Sequence, residues 1–287
     1  MLYSINLETI TIMQATSERR RAILITGANK GIGYVTVERF LSESTPYDII
    51  LTSRDIKLGE TAVESLKSKH PTSTSTLTYH QLDVNDYKSV VNLLKWINDS
   101  NRKIDVLINN AAVLYHNATD EQKKLIIKTN FFSTVNLTEK LIPFLSDDGK
   151  ILQLSSNVAQ LAIHGETLRN ALSEPNLTES KLHEIANNVI EFTKDFPGWG
   201  PVTEPFYPAS KAFLNTYVRH FLPAKLKATQ QCYAVHPGWV KTDMGGEDAP
   251  LALEEGADSI VYLTGLPFVV NPELNAKFIA ERKIMEF

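Results

Sequence analysis

The 287-residue chain holds a single cysteine, Cys232, so no intrachain disulfide can form and no thiolate metal site can be assembled. Such sparing use suits a reducing compartment, and a cytoplasmic location is expected. No apolar run approaches the roughly 20 residues that a membrane-spanning helix requires, so no membrane partner is expected. A basic surplus is missing too. The formal net charge is −4, which argues against a nucleic-acid partner. The 7 histidines show no metal-ligand spacing, and no metal is predicted. The opening residues lack the apolar core of a signal peptide, and Glu8 and Glu18 are out of keeping with a transit peptide. Residues 1–20 are therefore read as a loose extension. The Asn-x-Ser/Thr matches at Asn98, Asn117, Asn136 and Asn176 are read as chance occurrences.

What is present is an alternation of two patterns. Short β-rich runs occur at Ala22–Thr26, Asp48–Thr52, Leu77–Gln81, Ile104–Ile108, Lys150–Leu154 and Cys232–Val235. Amphipathic stretches such as Tyr34–Leu41, Lys57–Lys67 and Lys88–Ile97 lie between them. Apolar strands flanked by helices imply a parallel sheet covered on both faces, hence a doubly wound, Rossmann-type α/β fold. Residues 21–287 are expected to form one domain. Residues of about 158–205 break the rhythm: a helical pattern at Glu179–Phe192 is followed by a turn-rich run, Phe196 to Pro201. This segment is read as a helical insertion packed on the main fold.

The first strand leads into Thr26-Gly27-Ala28-Asn29-Lys30-Gly31-Ile32-Gly33. Glycines at a strand-to-helix turn let backbone approach a pyrophosphate, and the helix N-terminus favours its charge. Taken alone, the run has a second, less favoured reading as a plain strand-to-helix turn. The second strand ends in Arg54, where a site for the non-phosphorylated dinucleotide would carry Asp or Glu on the ribose. Arg54 suits a 2′-phosphate instead, with Lys30 as a second positive charge. The cofactor expected from this chemistry is NADP(H).

Tyr207 and Lys211 stand four residues apart, on one face of a helix. An ammonium near a phenol favours the phenolate and brings a poor acid–base group toward usefulness. Such a pair also arises by chance on amphipathic helices. Its order along the chain with the glycine run, Asn109-Asn110-Ala111-Ala112, Asn130, Ser155-Ser156 and Pro237-Gly238 is far more specific. Together these residues resemble the short-chain dehydrogenase/reductase family over nearly all of Arg21–Phe287. Lys128-Thr129-Asn130-Phe131-Phe132, His236 to Met244 and the 50 or so residues between Ser156 and Tyr207 are most similar to its monomeric carbonyl reductases.

The resemblance implies a monomer that interconverts a small-molecule carbonyl and an alcohol. Tyr207 would carry the proton, Lys211 would hold the nicotinamide ribose and lower the tyrosine pKa, Ser156 would bind the substrate oxygen, and Asn130 would organise a water beside Lys211. Ser155 is the rival for the serine role, since strand alternation turns only one of the two toward the site. Gly27, Asn29, Lys30, Gly31, Ile32, Gly33, Arg54, Asp83, Val84, Asn110, Ala111, Tyr207, Lys211, Pro237, Gly238, Val240 and Thr242 are the expected cofactor contacts. Ser156, Tyr207 and Trp239 are the expected substrate contacts. Two features depart from the pattern: Ala112 replaces a glycine, and Pro223 is expected to kink or end the tyrosine helix. Reduction of a ketone, aldehyde or quinone is the leading activity. Oxidation of a specific secondary alcohol, or sensing of NADP(H) without turnover, are the alternatives.

Overall fold

Four central strands follow from the sequence with little ambiguity. β1 (Arg21–Ile25), β2 (Tyr47–Ser53), β4 (Ile104–Asn109) and β6 (Gln231–His236) are almost wholly buried, as strands covered on both faces must be. The computed structural model describes residues 19–191 and 205–287. With β3 (Thr76–Gln81), β5 (Leu145–Leu154), β7 (Phe278–Ala280) and β8 (Lys283–Met285), the strands form one sheet in the order β3-β2-β1-β4-β5-β6-β7-β8. All neighbours are parallel except β7 and β8, which form a short antiparallel edge. These last two strands were not anticipated: three residues each, they are too short for a periodic signal.

Alternation along the strands divides the interior into two cores. Ile23, Ile25, Val106 and Ile108 meet α1 (Gly31–Ser42), α2 (Ile56–Lys69) and α10 (Leu253–Gly265) on one face. Leu24, Leu107 and Ile151 meet α3 (Tyr87–Asp99), α4 (Asp120–Ile127), α5 (Thr134–Leu141) and α8 (Phe206–His220) on the other. β1 pairs with β2 on one side and β4 on the other. Connections after β1 and β4 therefore diverge at the carboxyl ends of these strands, and a crevice opens at that switch point, where α/β sheets bind ligands.

At the opposite end of the sheet, fully buried Asp105 accepts from Arg19 (2.6 Å to each oxygen), Arg21 (2.9 Å) and the Ala22 amide (2.7 Å). Of the extension expected at residues 1–20, only Arg19 and Arg20 lie within the described residues, and Arg19 is held by this carboxylate.

Short turns at Asn157–Ala159 and Leu161–Ile163, then α6 (Glu166–Leu172) and α7 (Glu179–Glu191), occupy the described part of the expected insertion. The turn-rich run from Phe196 to Pro201 lies outside the described residues. α7 packs on α8 and α4. Lys225, in α9 (Leu222–Lys225), pins its start by pairing with Glu179 (2.9 Å) and Glu139 (3.0 Å). Pro223 falls in the first turn of α9, where its missing N–H costs nothing, and α8 ends just before it.

Candidate active site

The loop after β1 is shaped by its glycines. Gly27 and Gly31 adopt φ of +63° and +58°, a left-handed conformation that side chains disfavour. At Gly33 the limit is space: an added Cβ would stand 2.6 Å from Asn110 Nδ2 and 2.9 Å from the Ala28 backbone. Asn110 locks this loop to the end of β4, donating from Nδ2 to the carbonyls of Thr26 (2.8 Å) and Gly27 (3.0 Å). Thr26 completes the lock, its Oγ1 accepting from the amides of Asn110 (3.0 Å) and Ala111 (2.9 Å). Thr26 was not among the expected site residues; its hydroxyl directly before the first glycine is the signal that marks it. Ala112 is not among the residues with positive φ, so its methyl carries no backbone strain.

Other expected cofactor contacts line the same crevice. Thr242 lies over Gly31, and Val240 and Ile32 both lie against Gly256 of α10. Gly238 turns this segment with φ of +91° as it leaves Pro237. Asn29 is half-buried in the glycine loop. Asp83 closes a turn by accepting from the Asn85 amide (2.9 Å), with half-buried Val84 between them. Arg54 is exposed at the end of β2. Lys30 is exposed too, but its ammonium is engaged by Asp243 at 2.6 Å. A crevice at the switch point, a glycine loop held by positive φ at Gly27 and Gly31 and by close packing at Gly33, and two cations at its rim are a donor set that fits a phosphorylated dinucleotide.

Beyond the crevice, helix geometry sets the remaining groups. Between α4 and α5 the turns widen into a π-helix, Lys128–Ser133, a local insertion that often marks functional sites. Thr134 Oγ1 donates to the Thr129 carbonyl (2.9 Å), and Asn85 holds the outside of this turn through Thr129 (2.9 Å) and Ser133 (2.8 Å). Asn130 is thereby aimed inward. Its Oδ1 accepts from the Val113 amide (2.8 Å), and its Nδ2 donates to the Val113 carbonyl (2.9 Å) and to Ser210 Oγ (3.2 Å). Ser210 in turn donates to the Tyr207 carbonyl (2.7 Å). Asn130 thus braces the loop after β4 against the tyrosine helix. Ser210 and Val113, its partners, were not foreseen from the sequence.

Lys211 is buried, donating from Nζ to the Leu154 carbonyl (2.7 Å), with Nζ 5.6 Å from the centre of the Tyr207 ring. Burial without a carboxylate partner lowers its pKa to about 7. Burial also pushes the Tyr207 phenol up to about 12, while the Ser156 hydroxyl facing it acts in the opposite direction. Ser156 leaves β5 in extended conformation and also accepts from the Val158 amide (3.4 Å). Ser155 is buried, and its Oγ has no hydrogen-bond partner. The order along the site is therefore Ser156, Tyr207, Lys211.

Tyr207 forms one wall of a cavity of about 360 Å³ shared with Leu114, Tyr115, Lys123, Ile126 and Phe206. The loop after β4 contributes Leu114 and Tyr115, and α4 contributes Lys123 and Ile126, none of them among the expected contacts, since helix position alone does not say which loop a helix faces. Trp239 does not line this cavity: the residue is 55% exposed and its indole donates to the Gly245 carbonyl (2.7 Å). Among the described residues no three His, Cys, Asp or Glu side chains cluster as metal ligands, and no helix is long and apolar enough to cross a membrane.

A family model described as short chain dehydrogenase matches residues 21–168. The chain is 32% identical to carbonyl reductase [NADPH] 1 of Sus scrofa over 282 residues, covering 94% of this chain and 96% of that protein. It is 33% identical to (+)-neomenthol dehydrogenase of Arabidopsis thaliana over 300 residues, covering 94% and 99%. Among solved structures, salutaridine reductase from Papaver somniferum superposes with a TM-score of 0.80 at 28% identity, covering 91% of this chain and all of that one.

Proposed function

The chain belongs to the short chain dehydrogenase family, and on that premise we propose that it reduces the carbonyl of a small molecule to an alcohol with NADPH, Tyr207 donating the proton. It is an NADP-dependent oxidoreductase acting on CH–OH and C=O groups. The observation that carries the finer reading is the cavity wall formed by Tyr207, with Ser156 facing its phenol and Lys211 one turn along the same buried helix.

Each residue has a task that its surroundings support. A phenol held near 12 stays protonated at neutral pH, as a proton donor must. Ser156 donates a second hydrogen bond to the substrate oxygen as negative charge develops there. Lys211, free of any carboxylate, has its ammonium available for a ribose hydroxyl and, when charged, eases departure of the phenol proton. Asn130 keeps this group in register through Val113 and Ser210, and the second lone pair of its Oδ1 leaves it able to organise a water beside Lys211 as well. The glycine loop, Lys30 and Arg54 would hold the dinucleotide, whose reduced nicotinamide supplies the hydride when bound. Run backwards, the same groups oxidise an alcohol, the direction named for the Arabidopsis relative.

The remaining expectations belong to the same reading: residues 21–287 act as one domain, in the cytoplasm, as a monomer, with the insertion lying on α8. The decisive test follows NADPH absorbance with a panel of quinones and aromatic aldehydes. Tyr207→Phe is expected to lose roughly 10²–10⁴-fold in turnover while still binding NADPH. Unchanged turnover in that variant, or wild-type binding of NADPH with no substrate consumed, would overturn the proposal, the latter in favour of a sensor.

A further inference from the structure

We propose that Lys123 selects the substrate: the cavity beside Tyr207 takes aromatic carbonyl compounds that carry a carboxylate, and the Lys123 ammonium binds that carboxylate. This deepens the reading of Tyr207 as proton donor and rests on it for the position of the reacting carbonyl.

Lys123 and Ile126 stand three residues apart on α4 and so share a face, which lines the cavity of about 360 Å³ together with Leu114, Tyr115, Phe206 and Tyr207. Among the described residues, Lys123 is the one charged side chain in that lining. Its side chain is 25% exposed, and its ammonium lies 5.9 Å from the centre of the ring of Phe206, the residue directly before Tyr207. Since Phe206 walls the cavity, this contact sets the ammonium on the cavity side of α4. Asp120, its ion-pair partner at 2.9 Å, is 46% exposed and does not line the cavity. The pair is therefore polarised, carboxylate toward water and ammonium toward the cavity. An ammonium has three N–H donors, and Asp120 accepts one of them.

The lining selects the ligand. Leu114, Tyr115, Ile126 and Phe206 suit an apolar ring. The volume exceeds the roughly 150 Å³ of an engineered cavity that admits benzene, so a ring with two substituents fits. One substituent, the carbonyl under reduction, must reach Tyr207. The other meets Lys123. A partly desolvated ammonium gains most from an anion, because hydrogen bonds between ionised groups are roughly twice as strong as neutral ones. A hydrocarbon substituent would leave its remaining donors without a partner.

The test compares 4-carboxybenzaldehyde with its methyl ester on the full-length protein with NADPH. The ester keeps the shape without the charge. Its stronger electron withdrawal also makes its aldehyde the more reactive, so a preference for the acid cannot originate in the carbonyl. Wild type is expected to favour the acid roughly tenfold or more in kcat/KM, chiefly through KM. Lys123→Met is expected to erase the preference and Lys123→Arg to keep it. Equal kcat/KM for acid and ester in wild type, or a preference that survives in Lys123→Met, would overturn the role of Lys123 and leave that of Tyr207 standing. Calorimetry with the matching alcohols, 4-(hydroxymethyl)benzoate and its methyl ester, in the presence of NADPH reads binding without turnover. The acid is expected to bind roughly tenfold more tightly in wild type and Lys123→Arg but not in Lys123→Met. That binding pattern with neither aldehyde consumed would sustain the role of Lys123 and sink that of Tyr207, whereas equal affinities of the two alcohols for wild type would overturn the role of Lys123.

Discussion

Lys30 and Asp243 meet at 2.6 Å, joining the glycine loop to the segment that follows β6 across the mouth of the crevice. Both side chains are largely exposed, so the pair adds little to stability. Its consequence is for binding: an ammonium held by a carboxylate is less available to a 2′-phosphate. Asp243→Asn is expected to lower the KM for NADPH a few-fold and leave that for NADH unchanged. Arg54→Glu is expected to raise the NADPH KM roughly tenfold or more, as loss of a charge-assisted hydrogen bond does. Steady-state kinetics with both cofactors checks this. Equal effects of either variant on the two cofactors would refute the 2′-phosphate assignment.

Ser155 and Ser156 are neighbours with opposite surroundings. Ser156 faces the Tyr207 phenol, whereas the Ser155 hydroxyl is buried without a partner. Ser156→Ala is expected to reduce turnover roughly 10²–10³-fold, the usual loss when one donor to a developing oxyanion is removed. Ser155→Ala is expected to leave turnover unchanged and the unfolding midpoint unchanged or higher, since it deletes an unsatisfied buried hydroxyl. A larger kinetic loss at Ser155 would reverse the two roles.

Lys150 is fully buried and donates to the carbonyls of Leu263 (3.1 Å), Thr264 (3.1 Å) and Leu266 (2.5 Å), capping the end of α10. Burial, with Arg21 close by, lowers its pKa from the usual 10.5 to about 7. Between these two values the unfolded chain holds the extra proton, so this group makes stability rise with pH across that window. Below about 7 the residue is charged in both states and its penalty is constant. Denaturant unfolding at successive pH values should show the slope reduced in Lys150→Met. An identical slope in that variant would show that the lysine does not titrate in this range.

The insertion is tethered by Lys225 and packed on α8 and α4. With that helix surface covered, light scattering is expected to give a mass near 32.1 kDa at all accessible concentrations. A mass of twice that value would refute the monomer.

The sequence resolved most where backbone chemistry is local. The buried strands announced themselves by continuous apolar runs, and the glycine loop by residues that no side chain could replace. Tyr207 and Lys211 needed only helical spacing to be placed together. Less was legible where a partner comes from far along the chain. That Thr26 and Asn110 lock two loops 84 residues apart cannot be read from either segment, although the hydroxyl before the first glycine marks one end. Nor does the spacing around Asn130 reveal a π-turn, because one extra residue in a helix is invisible to periodicity. β7 and β8 went unseen because three residues are too few to show alternation.

By itself, then, the amino-acid order determined the doubly wound class, the glycine turn after β1 and the pairing of Tyr207 with Lys211 on one helix, because each depends on residue type at short spacing. Only the tertiary structure decided which serine faces the phenol, which residues wall the cavity, that Lys30 is paired with Asp243 and that Asn215 is buried with its amide unpaired. These are matters of burial and contact between distant segments, and packing alone selects among the many partners that sequence permits.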